Sequence, residues 1–137
     1  METKKTILLV DDDSDYLYQK KIELEEEGFK VVTAESKKKA HEALEKNKPD
    51  IVIVDLMMEN MDTGFVLSYE VKKKYPNIPV IMVTGVTSQT GMYFDSITKE
   101  EKEWIKADTI FIKPVRTEQL VGEIKRLIKL WTLKKLN

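Results

Sequence analysis

Four β-branched apolar residues in a row, Ile51-Val52-Ile53-Val54, follow Pro49-Asp50 and run directly into Asp55. A strand without a polar face has to be covered on both sides, as strands are in a parallel sheet wrapped by helices. The carboxylate stands where that strand stops. In an open parallel sheet, ligands bind in the crevice beyond the carboxyl ends of the strands, so Asp55 faces the place where such folds do their chemistry. A carboxylate beside an apolar core is costly unless something cationic meets it. The chain must therefore bring a metal, a lysine or an arginine to Asp55.

Four other stretches repeat the pattern. Thr6–Val10 is a second apolar run and is closed by Asp11, Asp12 and Asp13. Residues 29–34 alternate as a strand does, residues 78–84 form a fourth apolar run with its proline near the start, and Thr109–Ile112 ends in Lys113-Pro114. Helical stretches separate them. Ser14 and Asp15 offer caps for a helix over about 14–27 that carries Leu17, Ile22 and Leu24, with Gly28 as its C′ residue. Ser36 caps a helix with Ala40, Ala43 and Leu44 on one face. A helix over about 64–75 carries Phe65, Val66, Tyr69 and Val71; Thr98 opens a short charged helix, and Thr117 caps a last one reaching about Lys134. Residues 85–97, with Gly85 and Gly91, form a long loop. Strand and helix alternate five times, which dictates right-handed crossovers and a parallel sheet with helices on both faces. With 137 residues, one domain with its core over about 5–134 is expected.

Composition narrows the function. Lys and Arg number 23 against 24 Asp and Glu, a balance that argues against direct binding of nucleic acid. There is no cysteine, which removes disulfides, thiolate chemistry and Cys-based metal sites. No apolar stretch approaches a membrane span and the start lacks a signal peptide, so a cytoplasmic protein is expected.

The polar residues at the strand ends are Asp11 and Asp12 after the first, Asp55 after the third, Thr84 after the fourth and Lys113 after the fifth. Scattered in sequence, they converge on one edge of such a sheet. Three neighbouring carboxylates stay ionised only if a cation joins them. Hard oxygen ligands without His or Cys favour Mg²⁺ or Mn²⁺ over zinc. Lys113 adds a point charge and Thr84 a hydroxyl donor, so the set suits a phosphoryl group carried on Asp55 as an aspartyl phosphate.

The motifs Ile7-Leu8-Leu9-Val10-Asp11-Asp12-Asp13, Val52-Ile53-Val54-Asp55-Leu56-Met57-Met58, Met82-Val83-Thr84-Gly85 and Ile112-Lys113-Pro114 make the chain resemble the receiver domains of bacterial two-component response regulators. The resemblance covers essentially the whole chain. It implies the flavodoxin-like (CheY-like) sheet in 2-1-3-4-5 order. It makes Asp55 the phosphoacceptor, with Mg²⁺ held by Asp11, Asp12, Asp55 and the backbone carbonyl of Met57. Thr84 and Lys113 would meet the phosphoryl group, Lys113 being joined to Pro114 by a cis peptide. It also implies a sensor histidine kinase or a histidine phosphotransfer protein as donor. The downstream target or output domain would be reached through the fourth and fifth helices. The two apolar stripes of the last helix, one with Leu120, Ile124, Leu127 and Trp131, suggest a partner surface or a homodimer.

Three positions depart from the family pattern. Glu59 replaces a proline and Gly64 comes one residue late, so the loop after Asp55 is longer. The stretch between Thr84 and Lys113 is longer than usual. Ile110 stands where an aromatic switch residue is common, with Phe111 on the opposite face of the strand. Two other functions compete. A haloacid-dehalogenase-type phosphatase would use an Asp-x-Asp such as Asp11-Asp12-Asp13, yet Asp15 stands where Thr or Val belongs and Asp55 has no role. A receiver-like scaffold that binds partners without phosphate has no reason to keep the charge cluster.

Overall fold

The computed structural model describes residues 4–55, 63–84 and 107–135. Five strands, β1 (Thr6–Val10), β2 (Lys30–Ala34), β3 (Ile51–Asp55), β4 (Val80–Thr84) and β5 (Thr109–Ile112), pair in parallel in the order β2-β1-β3-β4-β5. Four helices are described: α1 (Ser14–Glu26), α2 (Lys37–Lys46), α3 (Thr63–Lys74) and α4 (Thr117–Lys135). The expected loop over 85–97 and nearly all of the expected helix over 98–107 lie outside the described residues, as do Met57 and Glu59.

The central strands are buried on both faces, as their sequence requires. Leu8, Val10, Val52, Val54, Val80 and Met82 pack under α2 and α3, against Ala40, Leu44, Leu67 and Val71. Ile7, Leu9, Ile51, Ile53, Ile81 and Val83 pack on the other face, against Leu17 and Leu24 of α1 and Leu120, Ile124 and Leu127 of α4. Ile110 joins the first cluster and Phe111 the second, so the two do face opposite ways.

Several local expectations need correction. α1 is capped by Asp13, whose carboxylate accepts from the N–H groups of Asp15 and Tyr16, and not by Ser14 or Asp15. Its inward face is Leu17, Lys20 and Leu24, at intervals of three and four residues, which turns Ile22 outward. Among the α3 residues whose burial is described, Gly64, Leu67, Ser68 and Val71 are buried, whereas Tyr69 is exposed. Thr117 is the first residue of α4, and its hydroxyl reaches across to Glu23 of α1. The cap of α4 is instead completed by Gln119, which accepts from the Arg116 N–H at 3.1 Å. Lys72 pairs with Asp108 at 2.8 Å and lies over the Trp131 ring. On α4, Leu130 and Leu133 remain exposed beside the buried stripe.

Gly28 follows the α1 C-cap with φ +98, a conformation that non-glycine residues rarely adopt. An added Cβ would meet nothing within 4 Å, so the only penalty for alanine is backbone strain. Gly28→Ala is expected to cost about 1–2 kcal/mol, and Gly28→Asn less. The midpoint of urea unfolding measures both.

Candidate functional site

The strand order reverses between β1 and β3: from β1 the chain goes to β2 on one side, then crosses to β3 on the other. A crevice opens at such a switch point. Val10 and Val54 lie side by side in the β1–β3 register, so Asp11 and Asp55, each one residue further on, emerge together there. Thr84 pairs with Ile112 in the β4–β5 register, which carries Lys113 just past the end of β4. Register alone brings the strand-end residues to one edge.

One carboxylate oxygen from each of Asp11, Asp12 and Asp55 lies within 4.8 Å of the other two. Asp11 and Asp55 are buried, while Asp12 is exposed and opens the cluster to solvent. The Lys113 ammonium donates to Asp11 Oδ2 at 3.2 Å and to Asp55 Oδ2 at 3.4 Å. The Lys113-Pro114 peptide is cis, as expected. Backbone donors help as well: the Asp13 N–H donates to Asp11 Oδ1 at 2.9 Å. The three acids that follow β1 thus divide their work, two entering the cluster and the third capping α1.

The electrostatics follow from that packing. Burial pushes the Asp11 carboxyl up to about 6; the Asp13 N–H opposes this, Asp55 adds to it and Lys113 opposes it. For Lys113, burial works against the charge, but Asp55 and Asp11 more than offset it and raise its pKa above the ordinary lysine value. Asp11 is therefore under-neutralised by Lys113 alone.

The donor set fits a hard divalent cation. All three ligand atoms are carboxylate oxygens, and opposite ligands of a Mg²⁺ octahedron stand about 4 Å apart, close to the span seen here. Thr84 ends β4, but its side chain and the Met57 carbonyl lie outside what the structure describes. Two residues of the surroundings escaped the sequence reading. The Tyr16 ring lies 4.6 Å from the Lys113 ammonium, and buried Lys20 binds Thr117 Oγ1 at 3.2 Å and Glu23 at 3.1 Å. The helical spacing of Leu17, Lys20 and Leu24 was the available signal for Lys20; none pointed to Tyr16.

Comparison with known proteins agrees with this geometry. The family model described as "Response regulator receiver domain" matches residues 7–125. Among curated proteins, the "Probable transcriptional regulator ycf27" of Guillardia theta is 31% identical over 129 residues, covering 94% of this chain and 47% of that protein. The "Transcriptional regulatory protein GlrR" of Escherichia coli is 45% identical over 79 residues, 58% of this chain and 18% of that protein. The chain thus spans half or less of the length of these relatives. A solved response regulator receiver domain protein (CheY-like) from Methanospirillum hungatei superposes with a TM-score of 0.81 at 27% identity, covering 96% of this chain and 99% of that one. With the sheet order, the acidic cluster and the family match in agreement, the chain belongs to the response regulator receiver domains of two-component signalling.

Proposed function

We propose that this receiver takes a phosphoryl group onto Asp55 from a phosphohistidine, on a sensor histidine kinase or a histidine phosphotransfer protein, and changes its partner binding as a result. The observation that carries the reading is the convergence of Asp11, Asp12, Asp55 and Lys113 at the switch point of the sheet. In the transfer, an Asp55 carboxylate oxygen attacks phosphorus. The P–O bond forms as the P–N bond breaks, and the electron pair leaves with the imidazole nitrogen, which ends as neutral imidazole after taking up a proton. Asp11 and Asp12, with Asp55 and the Met57 carbonyl, would hold Mg²⁺ or Mn²⁺. The ion supplies the positive charge that lets an anionic nucleophile approach an anionic phosphoryl group. Lys113 provides a second positive charge beside Asp55, and the Thr84 hydroxyl a hydrogen bond to the phosphoryl oxygens. The chain acts as a single receiver domain on this reading, catalysing only its own phosphorylation and dephosphorylation, in the cytoplasm where its donor is found.

The downstream partner is a protein target or an output domain. Its nature is not fixed by the relatives, two of which bear names of transcriptional regulators. The phosphatase alternative loses its second acid, since Asp13 is engaged in capping α1. No helix among the described residues is long and apolar enough to cross a membrane.

Intact mass after incubation with Mg²⁺ and acetyl phosphate tests the proposal. One phosphate of added mass that requires the ion is expected. Steady hydrolysis of the donor without an adduct would favour the phosphatase. No adduct and no hydrolysis, with a histidine kinase as donor too, would favour the binding scaffold.

A further inference from the structure

Lys113 is held from one direction by Asp11 and Asp55, yet its side chain is still 29% exposed. A lysine on a four-carbon stem in a partly wet site keeps considerable freedom, and two acceptors at 3.2 and 3.4 Å do not use its full hydrogen-bonding capacity. Among the described residues, the Tyr16 ring also lies close to it, with its centroid 4.6 Å from the ammonium. That distance is well inside the range over which an aromatic face attracts a cation.

The ring is itself placed with care. Tyr16 sits in the first turn of α1, and its N–H is bound by the capping carboxylate of Asp13 at 3.2 Å. Asp13 in turn donates its N–H to Asp11 Oδ1. Two hydrogen bonds therefore tie the Tyr16 backbone to the acidic cluster, and the ring reaches from there to the cluster's lysine. Lys20 also comes within 5.6 Å of the centroid and is anchored by Glu23 and by Thr117 of α4.

We propose that Tyr16 is a positioning residue for Lys113. Its ring face holds the ammonium where it meets the phosphoryl group on Asp55, and it shields part of that ammonium from water. The inference rests on the reading of Asp55 as phosphoacceptor and Lys113 as its cationic partner. The ring acts on the reaction through Lys113 and has no bond-making part in it. It follows that the face of the ring matters and the phenol hydroxyl does not.

Isosteric replacements separate this from a packing role. Tyr16→Phe should keep the rate constant for phosphorylation at saturating acetyl phosphate and Mg²⁺ within about twofold of the parent, and Tyr16→Leu should lower it roughly two- to thirtyfold. Replacing Tyr16 by phenylalanines bearing one, two and three ring fluorines drains the negative face step by step while preserving shape, so the logarithm of the rate constant should fall in proportion. A flat fluorine series overturns the inference even if Tyr16→Leu is slow, because packing alone would explain that loss. A Tyr16→Phe variant as slow as Tyr16→Leu overturns it too, by assigning the effect to the hydroxyl. Absence of any adduct on the parent protein takes down the phosphoacceptor reading and this inference with it, whereas a normal adduct with a flat series takes down this inference alone.

Discussion

Asp55→Asn is expected to abolish the phosphate adduct completely, both with acetyl phosphate and with a histidine kinase as donor. The change is nearly isosteric, so the side chain still fills its place at the end of β3 and can still accept a hydrogen bond from Lys113. What it loses is the anionic oxygen that, on the proposed function, attacks phosphorus, and a carboxamide is a very poor nucleophile. It also removes one of the three negative charges that would hold the cation. Both losses act in the same direction on phosphorylation. On the fold, neutralising Asp55 relieves its repulsion of Asp11 but weakens its attraction for Lys113, so in the absence of metal the variant should melt close to the parent. Intact mass and thermal melts on the same samples check both halves. A full adduct on the Asn variant would place the phosphate on another residue.

Why so much of this site could be read from sequence is a matter of register. The apolar runs of β1, β3, β4 and β5 each end at a polar residue, and in a parallel sheet those ends share one edge by construction. Asp11, Asp12, Asp55 and Lys113 therefore meet without any knowledge of rotamers. The helices were harder because their inward face depends on phase. In α1 the choice between Ile22 and Lys20 turns on which residues share a face with Leu17 and Leu24, and hydrophobicity alone picks the wrong one. Lys20 is buried because Glu23 and Thr117 receive its charge, and Thr117 lies 97 positions away. Caps failed for a similar reason. Asp13 and Ser14 are both good caps by type, and only the course of the chain after Asp11 decides between them. Tyr16 could not be found at all, since its partner Lys113 is distant along the chain and only folding brings the two together.

In the metal-free protein, Asp11 should contribute a loss of stability as the pH rises from the ordinary Asp value of 3.8 to about 6. A carboxyl whose pKa is higher in the folded state binds more protons there than in the unfolded chain. Its stabilising contribution is full below the unfolded pKa and is gone once the pH has passed the folded one. The loss across that window is on the order of a few kcal/mol. Glu23 and Glu123 slope the other way, because hydrogen bonds from Thr117 and Arg126 respectively hold their carboxyls below the usual range. The contribution of Asp11 is therefore isolated by difference, from urea unfolding of the parent and of Asp11→Asn in chelator at several pH values. Asparagine cannot ionise, so the variant should gain on the parent as the pH rises and be the more stable protein at pH 7 by up to that same amount. Adding Mg²⁺ should reverse the order if the ionised Asp11 that weakens the metal-free fold serves as a ligand to the ion: the parent should gain stability with the logarithm of the Mg²⁺ concentration and the variant far less. Parallel pH profiles for the two proteins would mean that Asp11 carries no such strain, and an equal response to Mg²⁺ would remove it from the ligand set. Together the two titrations test whether this cluster is kept at the expense of stability for the sake of the cation it recruits.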